Sequence, residues 1–513
     1  MSGDFFVREA VPPTLRLSKG GRNSFFNRRL GLRAQPALRL PQGPTREGDG
    51  GRRKPMKSRA ALLAVLALAG AACRSTRPPN ILLIVIDTLR ADRLGCYGNS
   101  RGLTPFMDEL AQRGTVFLNA YSTTSWTCPA VASLLTSRYP SQHHVVGFSS
   151  VVTDDEITLA EKLQPLRYLA GGFSANFRLL DALGYAQGFQ QWRADFRKGE
   201  DLRGDELRRQ SLQWLDGAWR ASSAQPGFLY LHFMDPHAPY DPPEPYRSKF
   251  QRRQNGAADV ASLNNRLVSL RWHELNRDDV QQLESLYDGE VATVDAELKL
   301  LFGELDRRGF LQNAIVVITA DHGEEFWEHG GLTHGTTLYN ESVRVPLILI
   351  VPGQQGGQRI EDNVSLLDVA PTLLDLLRLP PEPRFEGRSL VPLLKDQSSE
   401  PQGAAVHAGG RASGDVILQL EPTGEGLDAR EHADGIIRKS SKLLVRPNGF
   451  SETYDLASDP REMNPTREDS PTALAKALED TRADLLKRAG AAASAKPVDD
   501  ATREKLRALG YRF

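Results

Sequence analysis

The chain has 513 residues, 64 of them Lys or Arg and 64 Asp or Glu, so its formal net charge at pH 7 is zero. That balance excludes a protein that coats nucleic acid with a basic surface, and 40% hydrophobic with 25% charged residues excludes global disorder. Three cysteines in a chain long enough for two or three domains exclude a disulfide framework.

The neutral sum hides unlike segments. Residues 1–55 hold 12 basic against 4 acidic residues, with Pro, Gly and Arg scattered and no apolar period; they read as a disordered or misassigned N-terminal extension. Residues 56–78 read as an export signal and linker: Lys57 and Arg59 precede an apolar run from Ala60 to Ala72, and Cys73 follows. The run is shorter than the roughly 20 residues that cross a bilayer. A cysteine directly after Gly70-Ala71-Ala72 resembles a bacterial lipoprotein signal with Cys73 lipidated; an ordinary secretory signal and a buried helix are the alternatives. The secretory readings predict an exported protein, periplasmic or anchored to the membrane at Cys73, with translation starting at Met56.

From residue 79 onward, strands and helices alternate. Ile81–Ile86, Phe228–Phe233, Ala314–Ala320 and Val345–Val351 are apolar, β-branched runs of strand length. Between them, apolar residues recur every three or four positions over Thr104–Arg113, Gly204–Arg220 and Asp278–Arg308, which predicts helices. The alternation predicts an α/β fold, a doubly wound and mostly parallel sheet sandwiched by helices, over residues 79–400. Residues 401–513 predict a small C-terminal α+β subdomain and tail, with a strand at Lys442–Val445, a helix at Thr472–Arg488 and a loose Ala-rich stretch at Ala489–Asp500.

Ligands in open α/β sheets sit beyond the carboxyl ends of the strands. Ile81–Ile86 runs into Asp87, and Ala314–Ala320 runs into Asp321-His322. Either acid alone has a bland explanation as a turn or cap residue, whereas two strand-end carboxylates beside an imidazole suit a metal site. In Trp126-Thr127-Cys128-Pro129, the proline is placed to start a helix, with Thr127 and Cys128 at its positive end, where an oxyanion would meet free N–H groups. The alternative is that Thr127 merely caps that helix.

These residues and their neighbours resemble the sulfatase family of the alkaline phosphatase superfamily. The matching segments are PNILLIVIDTLRADRLGCYG (79–98), TPFMDELAQRG (104–114), SWTCPAVASLLTSRYPSQHH (125–144), FLYLHFMDPHAPYDPPEPY (228–246) and VVITADHGEEFWEHGGLTHGTTLYNESVRVPLILIVPG (316–353), followed by shorter ones to the C-terminus. The resemblance implies one divalent metal held by Asp87, Thr127, Asp321 and His322, with Thr127 as nucleophile and His237 and His334 as catalytic histidines. It also implies a small anionic ester, or an anionic glycan or lipid, as substrate.

The chain departs from the usual family pattern in three places. The nucleophile position holds Thr127, Cys128 lies one residue too close to Pro129, and Val131 stands where the family has Arg; no formylglycine is therefore expected, and Cys128 is a bystander. The lysine-bearing GKWH-type motif is absent, and the corresponding region reads GGFSANFRLLDALGYAQGF (171–189). Threonine at the nucleophile position resembles the members acting on phosphate esters, so the expected activity is hydrolysis of an anionic ester through a covalent Thr127 intermediate, phosphate favoured. The alternatives are a true sulfuric ester hydrolase, a phosphoethanolamine or phosphoglycerol transferase, and a catalytically silent protein that binds anionic glycans or lipids. Thr88 in place of a second Asp, together with His322, favours Zn²⁺ or Mn²⁺, with Ca²⁺ the remaining option.

Other residues have plainer expectations. His143, His232 and His329 read as structural or surface residues; Glu324 and Glu325 as orienting the metal histidine or opening a helix; Asp368 as a cap; and the Asp241–Pro245 run as a rigid loop beside the pocket. Residues 79–513 hold 48 basic against 60 acidic residues, a net −12, so the folded part is acidic and nucleic acid is not expected as a partner.

Overall fold

The computed structural model describes residues 77–147, 150–194, 203–222, 224–250, 259–354, 356–394, 414–422, 432–446, 449–466 and 473–489, all within one compact unit, Arg74–Phe513. The N-terminal extension, the export signal with Cys73, and most of the Ala-rich stretch lie outside the described residues. No helix among the described residues is long and apolar enough to cross a membrane.

The strands in chain order are β1 (Asn80–Ile86), β2 (Thr115–Tyr121), β3 (Leu169–Ser174), β4 (Gln191–Ala194), β5 (Gly227–Phe233), β6 (Ala314–Thr319), β7 (Glu325–Phe326), β8 (Leu332–Thr333), β9 (Arg344–Val345), β10 (Leu347–Ile350) and β11 (Gln358–Ser365). A nine-stranded sheet runs in the order β11-β2-β10-β6-β1-β5-β3-β4, with β9 on β2, and β7 and β8 form a separate hairpin. The pairings β6–β1, β1–β5, β5–β3 and β3–β4 are all parallel. β1, β5 and β6 are buried along their whole length, as uninterrupted apolar runs require when both faces of a sheet are covered.

The expected single strand at Val345–Val351 is instead two. Pro346 has no amide hydrogen to give the ladder, so the run breaks there. β9 pairs antiparallel with β2, and β10 lies antiparallel between β2 and β6. The expected helix at Gly204–Arg220 is α-helical only to Trp214 and continues as a π turn over Leu215–Trp219.

The helices that position the site are α1 (Pro105–Arg113), α2 (Thr127–Thr136), α3 (Gly204–Trp214), α4 (Arg277–Arg307) and α5 (Val369–Leu376). All ten residues of α2 are buried. α4, about 46 Å long at 1.5 Å per residue, opens on a capping box in which Asn276 Oδ1 accepts from Asp279 N–H (3.0 Å) and Asp279 Oδ2 accepts from Asn276 N–H (3.1 Å). Asp368 does not cap α5 with its side chain. Its Oδ2 accepts from the Ser365 N–H (2.9 Å) and its Oδ1 from the Arg388 N–H (2.8 Å), which closes the turn before α5.

β12 (Val416–Leu420), β13 (Ala433–Arg438), β14 (Ser441–Val445) and β15 (Ser451–Asp455) make an antiparallel C-terminal sheet in sequential order. The last described helix, α6 (Ala473–Arg488), packs Leu478 and Leu485 against Ile417, Ile436 and Leu443 of that sheet in a small core that also includes Tyr139 and Leu367. Lys442 of β14 has a fully buried side chain and lies 2.6 Å from the equally buried Glu462 carboxylate. Nζ also donates to Asn340 Oδ1 (3.1 Å), which ties the subdomain to the segment before β9. Removing one partner strands a buried charge, so Lys442→Met is expected to cost about 3–5 kcal/mol. The double change Lys442→Met/Glu462→Leu is expected to recover most of it; chemical denaturation of both variants checks this, and equal losses would sink it.

Candidate active site

Four adjacent strands, β6, β1, β5 and β3, deliver side chains at or just beyond their carboxyl ends, two from β6 and one from each of the others. Val85 of β1 is in register with Thr319 of β6, so Asp87 and Asp321, each two residues further on, emerge side by side. On the other flank Val85 is opposite His232 of β5, which in turn is opposite Ser174 of β3, two residues before Asn176. The sixth side chain is Thr127, the first residue of α2, whose N-cap is Trp126 in extended conformation. Thr127 is thus inside the helix rather than its cap, at the positive end of the dipole.

These side chains converge. Thr127 Oγ1 lies 3.2 Å from His322 Nε2 and 3.5 Å from Asp87 Oδ2. His322 Nε2 lies 3.7 Å from Asp87 Oδ1 and 3.5 Å from Asp321 Oδ2. Its Nδ1 is 2.9 Å from the Gly323 carbonyl, which accepts a hydrogen only from Nδ1–H and so leaves the Nε2 lone pair aimed at the acids. Asp87, Asp321, His322 and His232 are completely buried, and Thr127 is nearly so. The turn after β1 is held from α4: Tyr287 Oη donates to the Thr88 carbonyl (2.8 Å) and accepts from Arg90 N–H (3.0 Å), while Thr88 sits at φ +56.

Two buried acids so close cannot both be charged cheaply. Burial works against the Asp87 charge, but the hydrogen bond from His232 and the nearby histidines hold its carboxyl well below the usual range. Burial and the Asp87 charge push Asp321 well above it. Asp87 Oδ1, Asp321 Oδ2 and the Thr88 hydroxyl are buried without a hydrogen-bond partner. Asp87, Asp321 and His322 offer ligand atoms within 4.8 Å of one another. Orphaned, repelling carboxylate oxygens beside an imidazole nitrogen are the environment a divalent cation relieves, and hard oxygen with one nitrogen donor suits such an ion.

His334 and His237 form the partly exposed rim. The His334 ring is 4.4 Å from that of His322 and 5.0 Å from that of His237. Glu324 serves His334 rather than His322: its Oε1 lies 2.9 Å from His334 Nδ1, and its Oε2 accepts from Tyr240 Oη (2.8 Å). Burial raises the Glu324 carboxyl to about 7. No helix starts at Glu325, whose carboxylate accepts instead from Gly331 N–H (2.7 Å) within the β7–β8 hairpin. Cys128 is buried, and its carbonyl accepts from Tyr185 Oη (3.0 Å).

Two groups at the site escape the sequence reading. His232, expected to be structural, points Nε2 at Asp87 Oδ2 (3.2 Å), with Nδ1 3.0 Å from Tyr230 Oη. Asn176 Nδ2 donates to the same Asp87 oxygen at 2.7 Å. The signal for Asn176 was there: it occupies the region aligned with the missing lysine-bearing motif, just beyond the glycine pair of β3.

The sequence profile of the sulfatase family matches residues 79–379, more than half of the chain, and the chain belongs to that family. It is 25% identical over 450 residues to an arylsulfatase of Clostridium perfringens, an alignment covering 75% of this chain and 89% of that protein. The phosphonate monoester hydrolase of Agrobacterium radiobacter superposes with a TM-score of 0.63 at 22% identity, over 80% of this chain and 96% of that one. A protein solved with its substrate D-glucosamine-2-N,6-O-disulfate gives a TM-score of 0.63 at 20% identity, over 83% and 100%. The chain is an ester hydrolase of the sulfatase family, with relatives on both the sulfate and the phosphonate side.

Proposed function

We propose that the protein hydrolyses anionic esters, phosphate-type esters in preference to sulfate, through a covalent intermediate on Thr127. The observation that carries the reading is Thr127 Oγ1 at the head of a buried helix, within 3.5 Å of both His322 and an acid whose second oxygen has no partner. Asp87, Asp321, His322 and Thr127 would hold one divalent ion, Zn²⁺ or Mn²⁺ before Ca²⁺. Such an ion, when bound, lowers the pKa of a hydroxyl and draws charge from an ester oxygen.

The protein's own groups account for the rest. The Thr127 hydroxyl gives its proton to water, and Oγ1 forms a bond to phosphorus as the bond to the leaving oxygen breaks. His334, kept oriented by Glu324, gives that oxygen a proton, while His237 and the N-terminus of α2 counter the charge on the remaining oxygens. His232 and Asn176 occupy one oxygen of Asp87, which fixes the direction of the other. Water then attacks the phosphothreonine and restores the hydroxyl. Transfer to another hydroxyl would need an acceptor site, which nothing described here favours.

The sulfate reading is the second, carried by the arylsulfatase relative and the disulfated sugar of the structural neighbour. To separate them, purified protein would be assayed on nitrophenyl phosphate, a phosphodiester, a phosphonate ester and nitrophenyl sulfate. Phosphorus esters are expected to turn over at least about tenfold faster; faster sulfate cleavage would replace the first reading by the second. No turnover of any ester with metal bound would favour an anion-binding protein. The mass of the peptide carrying Thr127 and Cys128 is expected to show an unmodified cysteine. We further propose export through residues 56–78 with lipid attachment at Cys73, an ester substrate that is a small molecule, glycan or lipid, a catalytic domain over 79–400 and a C-terminal subdomain over 401–513; the net −12 of residues 79–513 argues against nucleic acid.

A further inference from the structure

Away from the Asp87–Asp321 pair, an open cleft of about 670 Å³ lies between the turn after β1, the start of α4, the β7–β8 hairpin and the segment Pro460–Met463. None of Asp87, Thr127, His237, Asp321, His322 and His334 lines it. Its wall contains Arg90, Arg93, Arg277, Arg344 and Arg461, an unexpected concentration in an acidic domain.

Each carboxylate in the wall is already engaged. Asp92 takes the fork of Arg90 (3.0 and 2.7 Å), and Glu328 takes the remaining Arg90 nitrogen (2.6 Å). Glu284 accepts from Arg93 (2.8 Å), and Glu341 is 2.5 Å from His329 Nδ1. Arg277, Arg344 and Arg461 pair with none of these four acids. Arg344 spends Nε and Nη2 on the neutral carbonyl of Leu118 (3.2 and 2.7 Å), which orients its guanidinium without neutralising it. Arg277 and Arg461 are exposed and Arg344 also acts on the Asp92 charge, so three guanidinium groups border a space of ligand-binding size outside the ion pairs of its wall.

The same wall holds Trp327, half-buried, at φ +65. A bulky residue in the left-handed region is strained and persists only where its surroundings impose it. Here Trp327 N–H donates to the Gly331 carbonyl (2.8 Å) across the hairpin. An aromatic face beside guanidinium groups suits a ring bearing an oxyanion.

We propose that this cleft is a second binding site, for a sugar ring carrying a sulfate or phosphate group, with Trp327 against the ring and Arg277, Arg344 and Arg461 around the oxyanion. The site stands whether or not Thr127 is the nucleophile. It shares a support with the active site, since Arg90 donates to the Glu324 carbonyl (2.9 Å) and the Glu341 carbonyl accepts from Glu324 N–H (3.0 Å).

The test is calorimetric titration of the full chain with glucose 6-sulfate, glucose 6-phosphate, glucose and inorganic sulfate, alongside Trp327 fluorescence. The Thr127→Ala variant is expected to bind the charged sugars in this site as the unaltered chain does. Arg277→Ala/Arg461→Ala is expected to weaken that binding at least tenfold and to leave turnover of nitrophenyl phosphate unchanged. Trp327→Phe is expected to remove the fluorescence response, and added salt to weaken binding. Unchanged affinity in the double arginine variant would overturn the proposal. So would glucose binding as tightly as glucose 6-phosphate, or inorganic sulfate as tightly as glucose 6-sulfate.

Discussion

Thr127→Ala is expected to lower kcat by on the order of 10⁴-fold, or about 5 kcal/mol of barrier, because in the mechanism we propose it removes the atom that forms the covalent bond. Folding should be nearly unaffected, since the change deletes a hydroxyl and a methyl from the first turn of a helix that keeps every other contact. Thr127→Ser retains the nucleophile and is expected to stay within about tenfold of the parent, the lost methyl costing only orientation. Steady-state kinetics with metal content measured on the same samples decides the matter. An alanine variant with normal metal and near-normal kcat would remove Thr127 from the chemistry; a serine variant as poor as alanine would argue that the threonine methyl, not the oxygen, matters.

The second large effect has opposite signs in two states of one protein. In metal-free protein Asp321 is pushed up by burial and the Asp87 charge, so the fold binds that proton more tightly than the unfolded chain does. A raised folded pKa contributes stability that is full below about pH 4, the unfolded value, and is lost as pH rises towards the folded one. Metal-free protein is therefore expected to weaken as pH rises above about 4, and Asp321→Asn, a permanent imitation of the protonated acid, to stabilise it at neutral pH by on the order of 2 kcal/mol. With metal present the same substitution would remove a charged ligand of the proposed metal site, so metal retention, activity and the metal-dependent gain in Tm should all fall. Melting curves with metal and with chelator test both halves. A variant less stable than the parent even in chelator would show that Asp87 and Asp321 do not repel each other.

Part of the fold and of the candidate site was legible because it lies at the end of a long apolar run. β1 and β6 announce themselves by composition, and Asp87 and Asp321-His322 follow directly. His232 does not, because it stands inside the apolar run of β5 and only the parallel pairing with Val85 turns it towards Asp87. Asn176 is hidden further, since β3 contains a glycine pair and reads weakly as a strand. Those glycines are explained by residues far along the chain: a Cβ at Gly171 would come within 2.6 Å of the Trp214 ring, and one at Gly172 within 2.2 Å of the Trp192 ring. The direction of β10 was equally illegible, because an apolar run of four residues looks the same in either orientation. Glu324 bonds His334 rather than its near neighbour His322, a choice made by how the β7–β8 hairpin folds back and not by spacing.

The complete burial of α2 ties Thr127 to the slowest motions of the molecule. A helix with all ten residues buried has no cheap local opening, so its amides can exchange with solvent deuterium only when the surrounding core gives way. The geometry around the Thr127 hydroxyl should consequently be lost on heating together with the fold and not before it, and the inactivation and unfolding curves should coincide. Adaptation to a new substrate would then have to come from the rim loops that carry His237 and His334, with the threonine itself held in one place.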